Sequence, residues 1–201
     1  MSKSLGNFYT LRDLIGKGWT GREIRWVLIG AHYRKKLNFT LDALAAARDT
    51  LGKFDDLFNR MRNVDAIGDG SEIAEAVNGA KEAFANAMAD DLNISEALAA
   101  MFDLQRTANR LADSGKLTKS GAEQVLASYR DFDRIVCCLE VDVVREQPTA
   151  PAEVIALAEE RAAARRNKDF AASDRLRDEI AKLGYQIKDV PGGKYELTAL
   201  K

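Results

Sequence analysis

Apolar stripes at helical spacing run through most of this chain, and nearly every one opens on a residue able to cap a helix. Thr20-Gly21-Arg22-Glu23 has the form of a capping box, in which the threonine oxygen and the glutamate carboxylate each satisfy an orphan N–H at a helix start. Ile24, Val27, Leu28 and Ala31 follow at three- and four-residue intervals and predict a helix to about Lys35. A second helix is expected from Thr40 to about Val64, with Leu41, Leu44, Leu51, Phe54, Phe58 and Met61 on one stripe. Glycines at 68 and 70 break the pattern, and Ser71 is expected to cap a third helix carrying Ile73, Val77, Phe84 and Met88. After Asp90-Asp91-Leu92-Asn93, Ser95 is expected to start a fourth helix through Leu98, Met101, Ala108 and Leu111. Ser120-Gly121-Ala122-Glu123 reads as another capping box, leading Val125, Leu126, Tyr129, Phe132, Ile135, Val136 and Leu139. Amphipathic helices joined by short links bury such stripes against one another, so a mainly α, antiparallel helical bundle is expected.

The last quarter of the chain changes character. Residues 141–151 carry two of the three prolines and read as a linker. A helical pair is expected over about 152–183, with Gly184 placed for left-handed helix termination. Two alternating runs, Tyr185 to Asp189 and Lys194 to Thr198, flank Pro191-Gly192-Gly193 and predict a β-hairpin. The expected organisation is a leading segment over 1–19, a bundle over 20–140, a linker over 141–151 and a helix-pair-plus-hairpin appendage over 152–201.

Net charge narrows the partners. At -1 overall, the molecule does not attract nucleic acid as a whole, and any RNA site must be a local patch. The one such patch the spacing suggests is Arg161, Arg165 and Lys168, at i, i+4 and i+7 on one helix face. Three cations there either neutralise phosphates or form a solvated surface. Arg22, Arg25, Arg34, Lys35 and Lys36 present the same choice earlier in the chain. No apolar run approaches the ~18 residues of a membrane span, and the adjacent Cys137 and Cys138 with a single histidine, His32, make a poor zinc set. His32 is expected to cap a helix or bond within the core. Met61, Met88, Met101, Phe84 and Phe102 are expected in the core, and Asp90-Asp91 at a helix N-terminus.

Four separated motifs carry a resemblance. Met1-Ser2-Lys3-Ser4 resembles the K-M-S-K-S loop of class I aminoacyl-tRNA synthetases, with Lys3 in the place of its second lysine. The stretch from Leu5 to Thr40, including GNFYTLRDL and IRWVLIGAHYRKKLNFT, resembles the region that follows this loop in cysteinyl-tRNA synthetases. Asp91-Leu92-Asn93-Ile94-Ser95-Glu96-Ala97 is similar to that family's D-x-N-T-x-E-A element. Arg161 to Asp174 with Arg177-Asp178-Glu179 is similar to its R-x-x-A-R-x-x-K-D-(F/W)-x-x-A-D-x-x-R-D pattern, and Asp189-Val190-Pro191-Gly192-Gly193 to the D-x-P-x-G that follows.

The resemblance implies a tRNA-binding, anticodon-recognising C-terminal part of a cysteine–tRNA ligase, with a class I anticodon-binding bundle and residues 1–19 as the remnant of the signature loop and its connection. The family's H-I-G-H motif and zinc-ligand cluster are absent from this sequence, so the chain alone is expected to be inactive. ATP and zinc are implied for the whole enzyme, zinc in its catalytic half, and no cofactor for this chain. Ser2, Lys3 and Ser4 would face ATP. Arg165, Asp174 and Asp189 would read the G-C-A anticodon, with Phe170 and Tyr195 as stacking surfaces, although Phe170 equally suits a core. The family often has G-T-x-W where this chain has Gly193-Lys194-Tyr195-Glu196. Arg161, Lys168, Arg34 and Lys35 would contact the RNA backbone. The implied partners are the tRNA for cysteine and a catalytic domain, with no membrane; a monomer in the cytoplasm is expected. Two rival readings are a free-standing tRNA-binding module acting in trans and a helical interaction bundle without RNA specificity.

Overall fold

The computed structural model describes residues 9–144, 151–167, 169–190 and 194–199. The chain divides into two compact units, Met1–Val144 and Arg145–Lys201. The first holds α1 (Leu11–Gly16), α2 (Gly21–Ile29), α3 (Leu41–Arg62), α4 (Ser71–Ala89), α5 (Ile94–Asp113) and α6 (Lys119–Val136). The long helices α3 to α6 form the antiparallel bundle that the stripes predict, with α2 against α3.

The stripes meet in one core. From α3 come Leu44, Leu51, Phe54, Leu57, Phe58 and Met61; from α4, Ile73, Val77 and Phe84; from α5, Leu98, Met101 and Leu104; from α6, Val125, Tyr129 and Phe132. Each large side chain buried this fully contributes ~1.5–3 kcal/mol. Phe54 lies at the aromatic centre, with ring centroids 5.8 Å from Trp26, 5.4 Å from Phe102 and 5.6 Å from Tyr129. The fully buried Tyr129 has a polar end that must be satisfied, and its hydroxyl donates to the Met101 carbonyl at 2.7 Å. Met88 and Phe102 pack at the core's margin. Leu28, Leu41 and Ile135, expected on buried stripes, are instead exposed.

The caps correct several boundaries. The Thr20–Glu23 box forms, with the Thr20 N–H donating to Glu23 at 2.8 Å. A second box at Thr10–Asp13 opens α1, a helix too short for periodicity to reveal. Ser71, Ser95 and Ser120 are not the caps. α4 is entered through Gly70, whose φ of +78 favours glycine, and the Ser71 N–H donates to Asp69 at 2.9 Å. Asn93 caps α5, and Thr118 caps α6 by accepting from the Gly121 N–H at 3.2 Å. Ser120 is already helical, so the expected box cannot close there. Gly121 serves packing as well: a Cβ on it would come within 2.9 Å of Ile73.

Charged side chains tie the helices together. Arg22 is bidentate to Asp55, at 2.9 and 3.3 Å, and reaches Glu140 at 2.8 Å. Arg25 donates to the Val136 and Ile135 carbonyls at the end of α6. Arg22, a candidate for phosphate, is thereby committed inside the unit, whereas Arg25 stays exposed while bonding the end of α6. After α6 the chain turns at Cys137, in the left-handed region at φ +52, and one Asp133 oxygen accepts from the N–H groups of Cys138 and Leu139.

The second unit comprises α7 (Ala152–Arg166), α8 (Phe170–Lys182), β1 (Tyr185–Val190) and β2 (Lys194–Ala199). The strands pair antiparallel from Tyr185↔Ala199 to Val190↔Lys194. Gly184, at φ +83, lets the chain leave α8 directly into β1. Val154 and Ala158 of α7, Ile180 of α8 and Ile187 of β1 form its core. The expected turn at Pro191-Gly192-Gly193 and most of the expected linker, 145–150, lie outside the described residues. Among the described residues, no helix is long and apolar enough to cross a membrane.

Candidate nucleic-acid interface

The inward face of α7 begins apolar and ends cationic. Val154, Ala158, Arg161 and Arg165 recur at intervals of four, three and four, so they share one face. On the hairpin, Tyr185, Ile187 and Asp189 alternate to one side of β1, and the register sets Tyr195 opposite Asp189 and Leu197 opposite Ile187. Where that face meets the end of α7, Arg161 and Arg165 both reach Asp189. Arg161 donates from its two terminal nitrogens, at 2.8 Å to Oδ1 and 3.1 Å to Oδ2. Arg165 donates to Oδ2 at 2.5 Å.

The two arginines sit in different environments. Arg161 is 4% exposed and its Nε is buried with no hydrogen-bond partner among the described residues, whereas the Arg165 side chain is 45% exposed. Arg161, expected on an exposed stripe with Arg165 and Lys168, is instead buried on the inward face of α7, where Asp189 accepts from it. Lys168 lies outside the described residues, as do Ser2, Lys3 and Ser4. The Asp189 carboxyl is held below its ordinary value of 3.8, first by the hydrogen bonds from Arg161 and then by the charges of Arg161, Arg165 and Arg177 against the opposing effect of burial.

The remaining candidates are on α8 and β2. Asp169 caps α8 by accepting from the Ala172 N–H at 3.0 Å. Phe170, Asp174 and Arg177 follow at i, i+4 and i+7, a stripe beside the buried one of Ser173, Leu176 and Ile180. Phe170 is 63% exposed, which decides against the core-packing alternative. Asp174 is exposed. Tyr195 is half-buried against the small core, and burial pushes its hydroxyl above the ordinary value. Arg177, quoted within the family motif but given no site role there, stands three residues after Asp174 on the same face. Arg161's burial had a signal, a charge on the stripe begun by Val154 and Ala158.

Arg34 and Lys35 lie in the first unit, beyond the end of α2. That helix stops at Ile29, short of the expected Lys35, and the chain turns. The Tyr33 hydroxyl donates to Asp91 at 2.5 Å, and Arg34 donates to Asp91 at 3.2 Å and to the Tyr33 oxygen at 2.9 Å. His32 stacks on Tyr33 and approaches Asp91 at 3.8 Å. Asp91 and Leu92 both have positive φ, 52 and 56, so the segment expected at a helix N-terminus forms a tight turn and Asn93 does the capping. Arg34 remains 68% exposed and Lys35 is exposed, leaving cationic surface beside this turn.

Comparison with known proteins divides the chain in the same order. A family model described as tRNA synthetases class I (C) catalytic domain matches residues 1–49, the DALR domain matches 83–135, and the Cysteinyl-tRNA ligase anticodon binding domain matches 147–195. The chain is 40% identical over 193 residues to a cysteine–tRNA ligase of Protochlamydia amoebophila, covering 96% of this chain and 40% of that relative. It is 39% identical over 195 residues to that of Chlamydia felis, with coverage of 96% and 40%. Against that of Chlamydia trachomatis serovar A it is 40% identical over 201 residues, with coverage of 94% and 41%. The chain spans about two-fifths of the length of these curated relatives.

Proposed function

We propose that this chain, which belongs to the cysteine–tRNA ligase family as a C-terminal portion, holds the tRNA for cysteine and that its second unit reads the anticodon. The observation that carries this reading is the convergence of Arg161, Arg165 and Asp189 within the stretch that matches the anticodon-binding family. Bases splayed from an anticodon loop offer their pairing edges and faces. A carboxylate such as Asp189 or Asp174 accepts from the N1 and N2 donors of guanine, and Arg165 offers a planar donor fork to a base or phosphate. Phe170 is exposed enough to stack on a base, and Tyr195 presents its ring beside Asp189. Arg34 and Lys35 neutralise backbone phosphates, which position the RNA while base contacts specify it. Lys168 is kept in that set on its charge; Arg161, drawn inside, is left out of it.

In a full-length ligase Ser2, Lys3 and Ser4 would steady the phosphates of ATP, which supplies the activation of cysteine before its transfer to the tRNA. Among the described residues no group of Cys, His, Asp and Glu is arranged to hold a metal ion. A cytoplasmic monomer is the form we propose.

The test is the affinity of this chain for a cysteine tRNA transcript and for the same transcript with the first anticodon base changed from G, at one fixed salt concentration. A loss of about tenfold or more supports anticodon reading. Equal affinities would overturn it. Arg165→Ala is expected to weaken cognate binding by ~1–3 kcal/mol.

A further inference from the structure

Asp189 carries more donors than a base-reading carboxylate can keep. A carboxylate offers about four lone-pair sites on its two oxygens. Arg161 occupies one site on each oxygen, and Arg165 takes a second on Oδ2. A guanine edge presents two adjacent donors and needs an acceptor on each oxygen, but with Arg165 in place only Oδ1 has one left. The two arginines differ in how readily they can leave. Arg161 is bidentate and buried among the core positions of α7, whereas Arg165 makes a single bond to Asp189 and has a side chain that is 45% exposed.

We propose that the two arginines divide Asp189 between them: Arg161 is a positioning residue that holds the carboxylate throughout, and Arg165 is an exchangeable arm that leaves Oδ2 when a guanine arrives. This inference rests on the anticodon reading above. Departure of Arg165 uncovers the second acceptor and frees a guanidinium for a neighbouring phosphate or base. Arg161 meanwhile keeps the carboxylate ionised and aimed as the RNA excludes water from it, since a nearby opposite charge favours the charged form. In the absence of RNA, Arg165 shields Asp189, so that neither group is left without a partner.

The experiment follows the guanidinium signals of both arginines by NMR in the full chain, titrated with an RNA hairpin carrying G-C-A in its loop. Arg165 is expected to shift on RNA addition while Arg161 stays in place. Arg161 moving as far as Arg165, or Arg165 staying still with RNA bound, would overturn the proposal. Affinities of variants give a second measurement, with folding checked by circular dichroism. Arg161→Gln is expected to bring the preference for G over A at the first anticodon base down to about threefold or less, from about tenfold, with partial rescue in Arg161→Lys. Arg165→Gln is expected to weaken both hairpins and keep the preference. Retention of the full preference in Arg161→Gln sinks the division of roles. Absence of any preference in the unsubstituted chain sinks the anticodon reading itself, and this inference with it.

Discussion

Tyr33 and Asp91, fifty-eight residues apart, are joined by a hydrogen bond of 2.5 Å from the tyrosine hydroxyl to the carboxylate. The bond ties the turn after α2 to the loop between α4 and α5, where two consecutive non-glycine residues hold positive φ. Such backbone persists only where surrounding contacts over-determine it. Tyr33→Phe keeps the ring stack on His32 and deletes the bond, so hydrogen exchange of amides in 31–37 and 90–93 is expected to accelerate while amides in α3 and α6 keep their protection. Unchanged exchange at both loops would mean that the bond does not hold them.

Asp189 gives the second unit an acid limit. Its carboxyl titrates below 3.8 in the folded chain because Arg161 and Arg165 favour the ionised form. The stabilisation from this cluster is therefore complete above the unfolded value and is lost as pH falls through the lower folded one. Carboxyl NMR is expected to show Asp189 titrating below 3.8 and its midpoint rising in Arg161→Gln. A midpoint that ignores the substitution would contradict the assigned cause.

The start of α6 separates two similar residues. Thr118 accepts the Gly121 N–H, whereas Ser120 lies within the helix. Thr118→Ala is expected to lower stability by about 1 kcal/mol in urea unfolding, and Ser120→Ala by far less. The reverse order would restore the Ser120 capping box.

The adjacent cysteines should react in sequence. Cys137 is exposed; Cys138 is buried and its thiol is pushed up to about 11, first by desolvation. At pH 8 a thiol reagent is expected to modify Cys137 rapidly and Cys138 only after denaturant is added, because the thiolate is the nucleophile. Rapid modification of both in the native chain would show that the turn at the end of α6 opens.

Local rules carried much of this protein. The Thr20 box, the stripes of α3 to α6, the glycine exit at Gly184 and the alternation of the hairpin depend on interactions within a few residues, and all were legible in the sequence. So were the two C-terminal family motifs that placed Arg165, Asp174 and Asp189 together as candidates. Cap positions slipped because Thr118 and Asn93 compete with nearby serines, and dihedrals decide between them. The short α1 escaped because periodicity needs length.

What only the tertiary structure decided is the destination of each charge. Arg22, Arg25 and Arg161 look like surface cations in the sequence, yet each is committed to acceptors distant in the chain: Asp55 and Glu140, the last carbonyls of α6, and Asp189. Helical spacing fixes which residues share a face, but it cannot say what stands opposite that face. A guanidinium becomes a buried strut or an exposed arm according to what is packed over it, and on one face of α7 Arg161 is buried while Arg165 stays open.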